Sequence, residues 1–462
     1  MTTADVDVIV IGAGPPGENV AGRCVDGGLT AAIIEAELVG GECSFWGCIP
    51  SKTLIRPGDA IAAARRVPGA AEAITGTIDV SAALAQRDYM TSSWDDSGQL
   101  PWLESKGIEL VRGKGRLVGE LAVEVTLSAG GTRRMHAAKA VVVAVGTDAF
   151  MPPIEGLADS HPWTNREITG ASDVPGTLLV LGGGAIGAEM AQAFHRLGSD
   201  VTVIEGAARL LAREEPFAGN EVVAAFEAEG ITVLTGVRVT RVSRVGTDGP
   251  VTVTLDDGRE LVGDELLAAV GRSPRTGDIG LEAVGLGEHA GHYLPVDDQL
   301  RILPWLYAVG DCNGRALLTH MGKYQARICG DVICGKDAHD VADAGIIPRV
   351  TFTDPQVCAV GLTEADARAA GHAVRVVTTP TGGVAGAYVQ GNGISGTCAL
   401  VVDEERRVLL GATFTGPGIQ ELLHSATVAI AGRVTLDDLW HAVPAFPTVS
   451  EVWLRLLEAY GL

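Results

Sequence analysis

A strand, a glycine turn and a helix start occur twice in this chain with the same internal spacing. The first copy is Val8-Ile-Val-Ile-Gly12-Ala-Gly14-Pro-Pro-Gly17, and the second is Leu178-Leu-Val-Leu-Gly182-Gly-Gly184-Ala-Ile-Gly187. In each copy an acidic residue closes the next apolar strand: Glu35 follows Gly17 by the interval at which Glu205 follows Gly187. The first glycine permits a tight turn, the second lets backbone approach a pyrophosphate, and the third lets helix and strand pack closely. The helix N-terminus offers unpaired N–H groups and positive potential, and the acid accepts from ribose hydroxyls. A lone glycine pattern carries little weight. Here strand, helix and acid accompany both copies, so the pattern predicts two dinucleotide sites, or one site and a degenerate copy.

The 462 residues exceed one ordinary core, and 47% are hydrophobic, enough for several. Other strand ends share the plan: Lys139 to Val145 runs into Gly146-Thr147, Leu266 to Gly271 into Arg272, and Leu306 to Val309 into Gly310-Asp311. Thr319 to Ile333 reads as a helix. From Pro348 the texture changes to an α+β domain, with strands at Val350, Phe352, Val374–Val377 and Ala399–Val402 and helices near Glu364–Ala370 and Ile419–Ala431. The expected class is α/β, with two Rossmann-like domains and a C-terminal α+β domain. The expected boundaries are 1–150 for the first nucleotide domain with the cysteine box, 151–275 for the second, 276–345 for a segment completing the first site, and 346–462 for the last domain.

The 57 acidic and 35 basic side chains give a net charge of −22, which repels nucleic acid and anionic lipid. Apolar runs such as Ala140–Val145 are strand-length, far short of the roughly 18 residues of a membrane span. Asp5 and Asp7 precede a short apolar run, unlike a secretory signal, so a cytoplasmic location is expected.

In such a location the eight cysteines are not expected to form a structural disulfide framework. Two of them, Cys43 and Cys48, lie in Gly40-Gly41-Glu-Cys43-Ser-Phe-Trp-Gly-Cys48-Ile-Pro-Ser-Lys52, soon after the first nucleotide unit. They can be half a zinc site, a redox pair or two inert thiols. A zinc site needs a second ligand pair, and no His or Cys cluster supplies one. A redox pair suits a thiol of lowered pKa near a helix N-terminus. The other cysteines read as small core residues.

Together these segments resemble the class I pyridine nucleotide–disulfide oxidoreductases, and the cysteine box ending in Ile49-Pro-Ser-Lys52 carries the resemblance most specifically. It extends through Ala144-Val-Gly146-Thr147 and Tyr307-Ala-Val-Gly-Asp311 into the C-terminal domain. It implies FAD on Gly12, Gly14, Gly17 and Glu35, with Gly41, Gly146 and Gly271 near the cofactors and Asp311 on the ribitol side. Cys48 would be the thiol nearest the flavin and Cys43 the outer, exchanging thiol. Lys52 would lie near flavin N5 and pair with Glu189, and Thr319 and His320 would open a helix toward the flavin's N1–O2 edge. Gly182, Gly184 and Gly187 would hold the nicotinamide dinucleotide. Glu205 favours NADH over NADPH, because an acid there repels a 2′-phosphate; Arg209 lies four residues further on. The resemblance also implies a homodimer, with Glu451 and its loop reaching the partner subunit's disulfide.

One departure stands out. Thiol-reducing members place a His before Pro-Thr and a Glu five residues after that His. This chain reads Phe446-Pro-Thr-Val-Ser-Glu451, with His441 five residues upstream as a possible substitute. Phenylalanine carries no proton, so ordinary dihydrolipoamide or glutathione exchange is expected to be slow. No cysteine follows Cys398, which disfavours mercuric reductase and the larger thioredoxin reductases. Three readings follow. The first is a disulfide reductase with an unusual acceptor. The second is a quinone, dye or transhydrogenase-like enzyme drawing electrons directly from the flavin. The third is a flavin-bearing assembly subunit without turnover of its own.

Overall fold

The computed structural model describes residues 4–341 and 345–462, which divide into two compact units. The first unit gathers residues 1–50, 86–150 and 271–343, less the undescribed ones, and the second gathers 51–85, 151–270 and 344–462 on the same terms.

In the first unit the apolar run Val6–Ile11 forms a strand whose last four residues are buried. Helix Pro15–Asp26 follows, then the fully buried strand Ala31–Glu35. Strand Val6–Ile11 pairs in parallel with Ala31–Glu35 on one side and with Thr132–Val143 on the other. Glu109–Gly119 and Leu306–Ala308 extend the parallel set outward on either side. In chain order the parallel strands run 3-2-1-4-5, so the order reverses beside the first strand, and the glycine turn leaves that strand's carboxyl end. That crevice is where open α/β sheets bind nucleotides. Ala122–Leu127 is an antiparallel strand between Glu109–Gly119 and Thr132–Val143.

The second unit repeats the logic. Thr177–Leu181, Asp200–Glu205 and Thr232–Thr235 pair in parallel, with Glu265–Ala268 on the other side of the first of them. Helix Ala185–Leu197 opens at Gly184 and buries Phe194 completely. Burying such a side chain contributes roughly 1.5–3 kcal/mol. A five-stranded antiparallel sheet, from Arg349–Thr351 to Val408–Gly416, forms the C-terminal part, with Phe414 packed edge-on against Trp453 in its core. The chain is thus α/β, with two Rossmann-like sheets and an α+β C-terminal portion.

The helix read over Thr319–Ile333 has those bounds in the structure. Three other readings need correction. Phe352 lies just outside its strand, Arg349–Thr351, and its backbone N–H donates to the Glu189 carboxylate at 3.0 Å instead of to a ladder. The helix read from Ile419 becomes regular at Leu423, after a short 3₁₀ turn at Gln420–Leu422. Cys334 is only half-buried, whereas Cys24, Cys312, Cys329, Cys358 and Cys398 are core residues. No helix among the described residues is long and apolar enough to cross a membrane.

Candidate functional site

The two glycine turns are alike down to their hydrogen bonds. Gly12 and Gly182 both sit at positive φ, +105° and +110°. A Cβ on Gly17 would come within 2.0 Å of the Gly12 carbonyl oxygen, and one on Gly187 within 1.9 Å of the Gly182 carbonyl oxygen. Neither position admits a larger residue without moving backbone. Gly14 and Gly184 open their helices with no side-chain cap. Glu35 accepts the N–H of Ala13 at 2.6 Å and of Glu37 at 2.7 Å. Glu205 accepts the N–H of Gly183 and of Ala207, both at 2.6 Å. Each acid ties its own glycine turn to the strand end beside it. Burial raises the Glu35 carboxyl above its usual range, and the Glu37 and Ala13 N–H groups oppose that rise.

Gly40 and Gly41, at φ +107° and +55°, turn the chain into the cysteine box, and a Cβ on Gly41 would meet the Gly14 Cα at 2.8 Å. Cys43 lies in the short helix Gly41–Phe45, and Cys48 begins helix Cys48–Arg65. The two thiols are unlinked, and the Cys48 sulfur lies 3.3 Å from the Thr319 hydroxyl. The neighbouring Cys48 thiol and burial push the Cys43 thiol up, against a smaller opposing effect of Thr319. Thr319 is the first residue of its helix, and His320 beside it is exposed.

Asp311 accepts from the Thr147 hydroxyl at 3.0 Å, and Arg272 Nε donates to that hydroxyl at 2.7 Å. Burial raises the Asp311 carboxyl, and the Arg272 charge opposes it. Gly146, at φ +70°, makes the turn before Thr147, and the Gly271 carbonyl accepts the Phe150 N–H at 2.9 Å.

In the second unit Lys52 Nζ donates to Glu189 at 2.7 Å and lies 4.9 Å from the centre of the Phe352 ring. Glu189 is 5% exposed, so its charge is held by Lys52 and the Phe352 N–H rather than by water. Glu451 is buried and accepts the Gly386 N–H at 3.1 Å. Phe446 is 76% exposed. His441, one residue past helix Leu436–Trp440, is exposed, with no hydrogen-bond partner for its ring among the described residues. Arg209 donates to the carbonyls of Ala212 and Glu214, so it serves the loop before helix Pro216–Glu229.

Sequence reasoning missed Trp94. Its indole N–H donates to the Phe45 carbonyl, inside the cysteine box, at 3.1 Å, and the Arg87 guanidinium lies 5.2 Å from its ring. Ser92, Ser93 and Trp94 all have positive φ, 50°, 52° and 58°. Left-handed backbone costs roughly 1–2 kcal/mol per residue, and Ser-Ser-Trp carries no glycine to announce it. Trp94→Phe keeps the ring and loses the bond. It is expected to lower unfolding stability by about 1 kcal/mol, read as a shift in urea midpoint at unchanged slope.

Twin Rossmann turns with a neighbouring thiol pair beside the first define a two-nucleotide dithiol oxidoreductase. The chain belongs to the pyridine nucleotide–disulphide oxidoreductase family: the model of that description matches residues 6–326, and the family's dimerisation domain matches residues 347–456. It is an FAD-dependent pyridine nucleotide–disulfide oxidoreductase. It is 34% identical over 454 residues to a dihydrolipoyl dehydrogenase of Chlorobaculum tepidum, covering 97% of this chain and 95% of that one. Among solved structures it resembles LpdA from Mycobacterium tuberculosis, with a TM-score of 0.87, 26% identity and coverage of 99% and 100% of the two chains. It also resembles the HOCl-induced flavoprotein disulfide reductase RclA from Escherichia coli, with a TM-score of 0.85, 25% identity and coverage of 98% and 99%.

Proposed function

We propose that this protein is an NADH-dependent reductase that charges the Cys43–Cys48 pair and passes its two electrons to a small disulfide-type acceptor. The carrying observation is the pair itself: two neighbouring, unlinked thiols just after the first glycine turn, with the Thr319 hydroxyl 3.3 Å from the Cys48 sulfur. When bound, FAD supplies a two-electron relay between nicotinamide and thiols. The residues fit it. The uncapped helix start at Gly14, where a Cβ would meet nothing nearer than Pro16 at 3.9 Å, suits a pyrophosphate, Gly12, Gly17 and Gly41 let the backbone behind it close tightly, and Asp311, held by Thr147, suits a ribitol hydroxyl. Lys52, neutralised by Glu189, is the cation assigned to the flavin's reacting edge. Cys48 is assigned to the flavin side, where Thr319 steadies its sulfur, and Cys43 is assigned to the exchange with the acceptor. The dimerisation domain supports a homodimer.

NADH is the proposed coenzyme. The Glu205 carboxylate, fixed by two N–H groups, meets a 2′-hydroxyl as an acceptor and a 2′-phosphate as a like charge. Arg209 is engaged with backbone carbonyls of its own loop. Glu205→Gln keeps the shape and removes the charge. The ratio of kcat/KM for NADH over NADPH is expected to fall about tenfold, the equivalent of 1.4 kcal/mol.

A second reading rests on Phe446, which carries no proton: the acceptor is a quinone or dye that takes electrons directly from the flavin. Anaerobic addition of NADH to the oxidised, FAD-loaded protein, followed by alkylation and mass analysis, separates the two. Labelling of both Cys43 and Cys48 supports the pair as the electron store. A flavin that bleaches while the cysteines stay joined moves the second reading ahead.

A further inference from the structure

A second thiol pair lies at the other end of the helices that bear the site. Helix Pro15–Asp26 starts at the first glycine turn, and helix Thr319–Ile333 starts at the Thr319 hydroxyl beside Cys48. The two pack along their length because glycines let them approach. A Cβ on Gly322 would meet Pro16 at 2.6 Å, and one on Gly330 would meet Arg23 at 2.7 Å. Arg23 and Asp331 close the contact with a two-pronged ion pair at 2.7 and 2.8 Å. Just beyond it Cys334 caps the second helix. Its sulfur is 3.8 Å from the Cys24 carbonyl oxygen, and a Cβ on Gly27 would lie 2.2 Å from it. The Cys334 thiol is also near enough to raise the Cys24 thiol. Cys24 is fully buried, Cys334 is half-buried, and neither takes part in the function proposed above.

We propose that Cys24 and Cys334 are a second oxidisable pair, which a hydroperoxide converts to a disulfide clasp across the C-terminal ends of the two helices. Cys334, the accessible thiol, meets the oxidant first. The peroxide O–O bond breaks, one oxygen passes to the Cys334 sulfur as a sulfenic acid, and the other leaves as an alcohol or water. The Cys24 sulfur then attacks the Cys334 sulfur, the S–O bond breaks, and the hydroxide departs as water with the Cys24 proton. Two thiols lose two electrons, and the peroxide gains them. A dithiol reverses the bond by exchange. Burial and the neighbouring Cys334 raise the Cys24 thiol, so the closing step is slower than attack by an ordinary thiol.

The test uses the FAD-loaded full chain treated with hydrogen peroxide, then alkylated in denaturant, digested and weighed. A peptide joined through Cys24 and Cys334 is expected; dithiothreitol releases it, and the Cys334→Ser chain lacks it. Cys43 and Cys48 become joined in both chains. Recovery of Cys24 and Cys334 as alkylated thiols at a peroxide dose that joins Cys43 to Cys48 would overturn the proposal. So would Cys334 joined to Cys329 or to a second copy, or Cys334 carried on to sulfinic acid without the joined peptide.

Discussion

Cys43→Ser is expected to lower NADH-driven reduction of any disulfide acceptor by on the order of 10³-fold or more, because it removes the nucleophile itself. Serine nearly keeps the side chain's shape, so the fold and the nucleotide turns stay as they are. NADH-driven reduction of a soluble dye should persist within about twofold of the unaltered protein, since hydride transfer to the flavin makes no use of Cys43. Steady-state rates with one disulfide and one dye, measured on the same preparation, decide the matter. Loss of both activities would mean that Cys43 holds the cofactor site together. Retention of both would mean that electrons leave from the flavin.

The parts legible in the sequence are those with a local cause. Glycine turns announce themselves because no other residue survives a Cβ at 2.0 Å from a carbonyl oxygen, and Glu35 and Glu205 mark the strand ends that face those turns. The Thr319–Ile333 helix follows from its apolar spacing alone. The contacts that position the thiols are a different matter. Thr319 reaches Cys48 across 271 residues of chain, and Arg272 reaches the Thr147 hydroxyl across 125. Nothing near either partner in sequence encodes that meeting. The left-handed turn at Ser92–Trp94 goes further, because its residues prefer other conformations and its geometry is imposed by tertiary contacts such as the Phe45 carbonyl. In the sequence Cys334 reads as a small core residue like the other cysteines outside the box. The helix stops there, and its sulfur sits at the helix end, half-open to solvent.

Phe446→His is expected to raise disulfide turnover at pH 7 about 10²-fold, the lower end of what a placed acid–base group contributes. The sign follows from Cys43. Its thiol is pushed up by the neighbouring Cys48 thiol and by burial, so the attacking thiolate fraction grows as pH rises. That fraction, and with it the rate of the unaltered protein, should climb about tenfold per pH unit from 6 to 9, with no plateau below the raised thiol pKa. A histidine that takes the proton during attack relieves this dependence, so the variant's profile should flatten above the imidazole pKa of about 6.5. Phe446 is 76% exposed, so the exchange asks little of the fold, and a urea midpoint within about 0.5 kcal/mol of the parent checks that. Equal rates and equal slopes in the two proteins would show that proton transfer at Cys43 does not limit turnover. The acceptor would then be one that needs no thiol exchange, and Phe446 would belong to a surface suited to a flat, apolar electron acceptor.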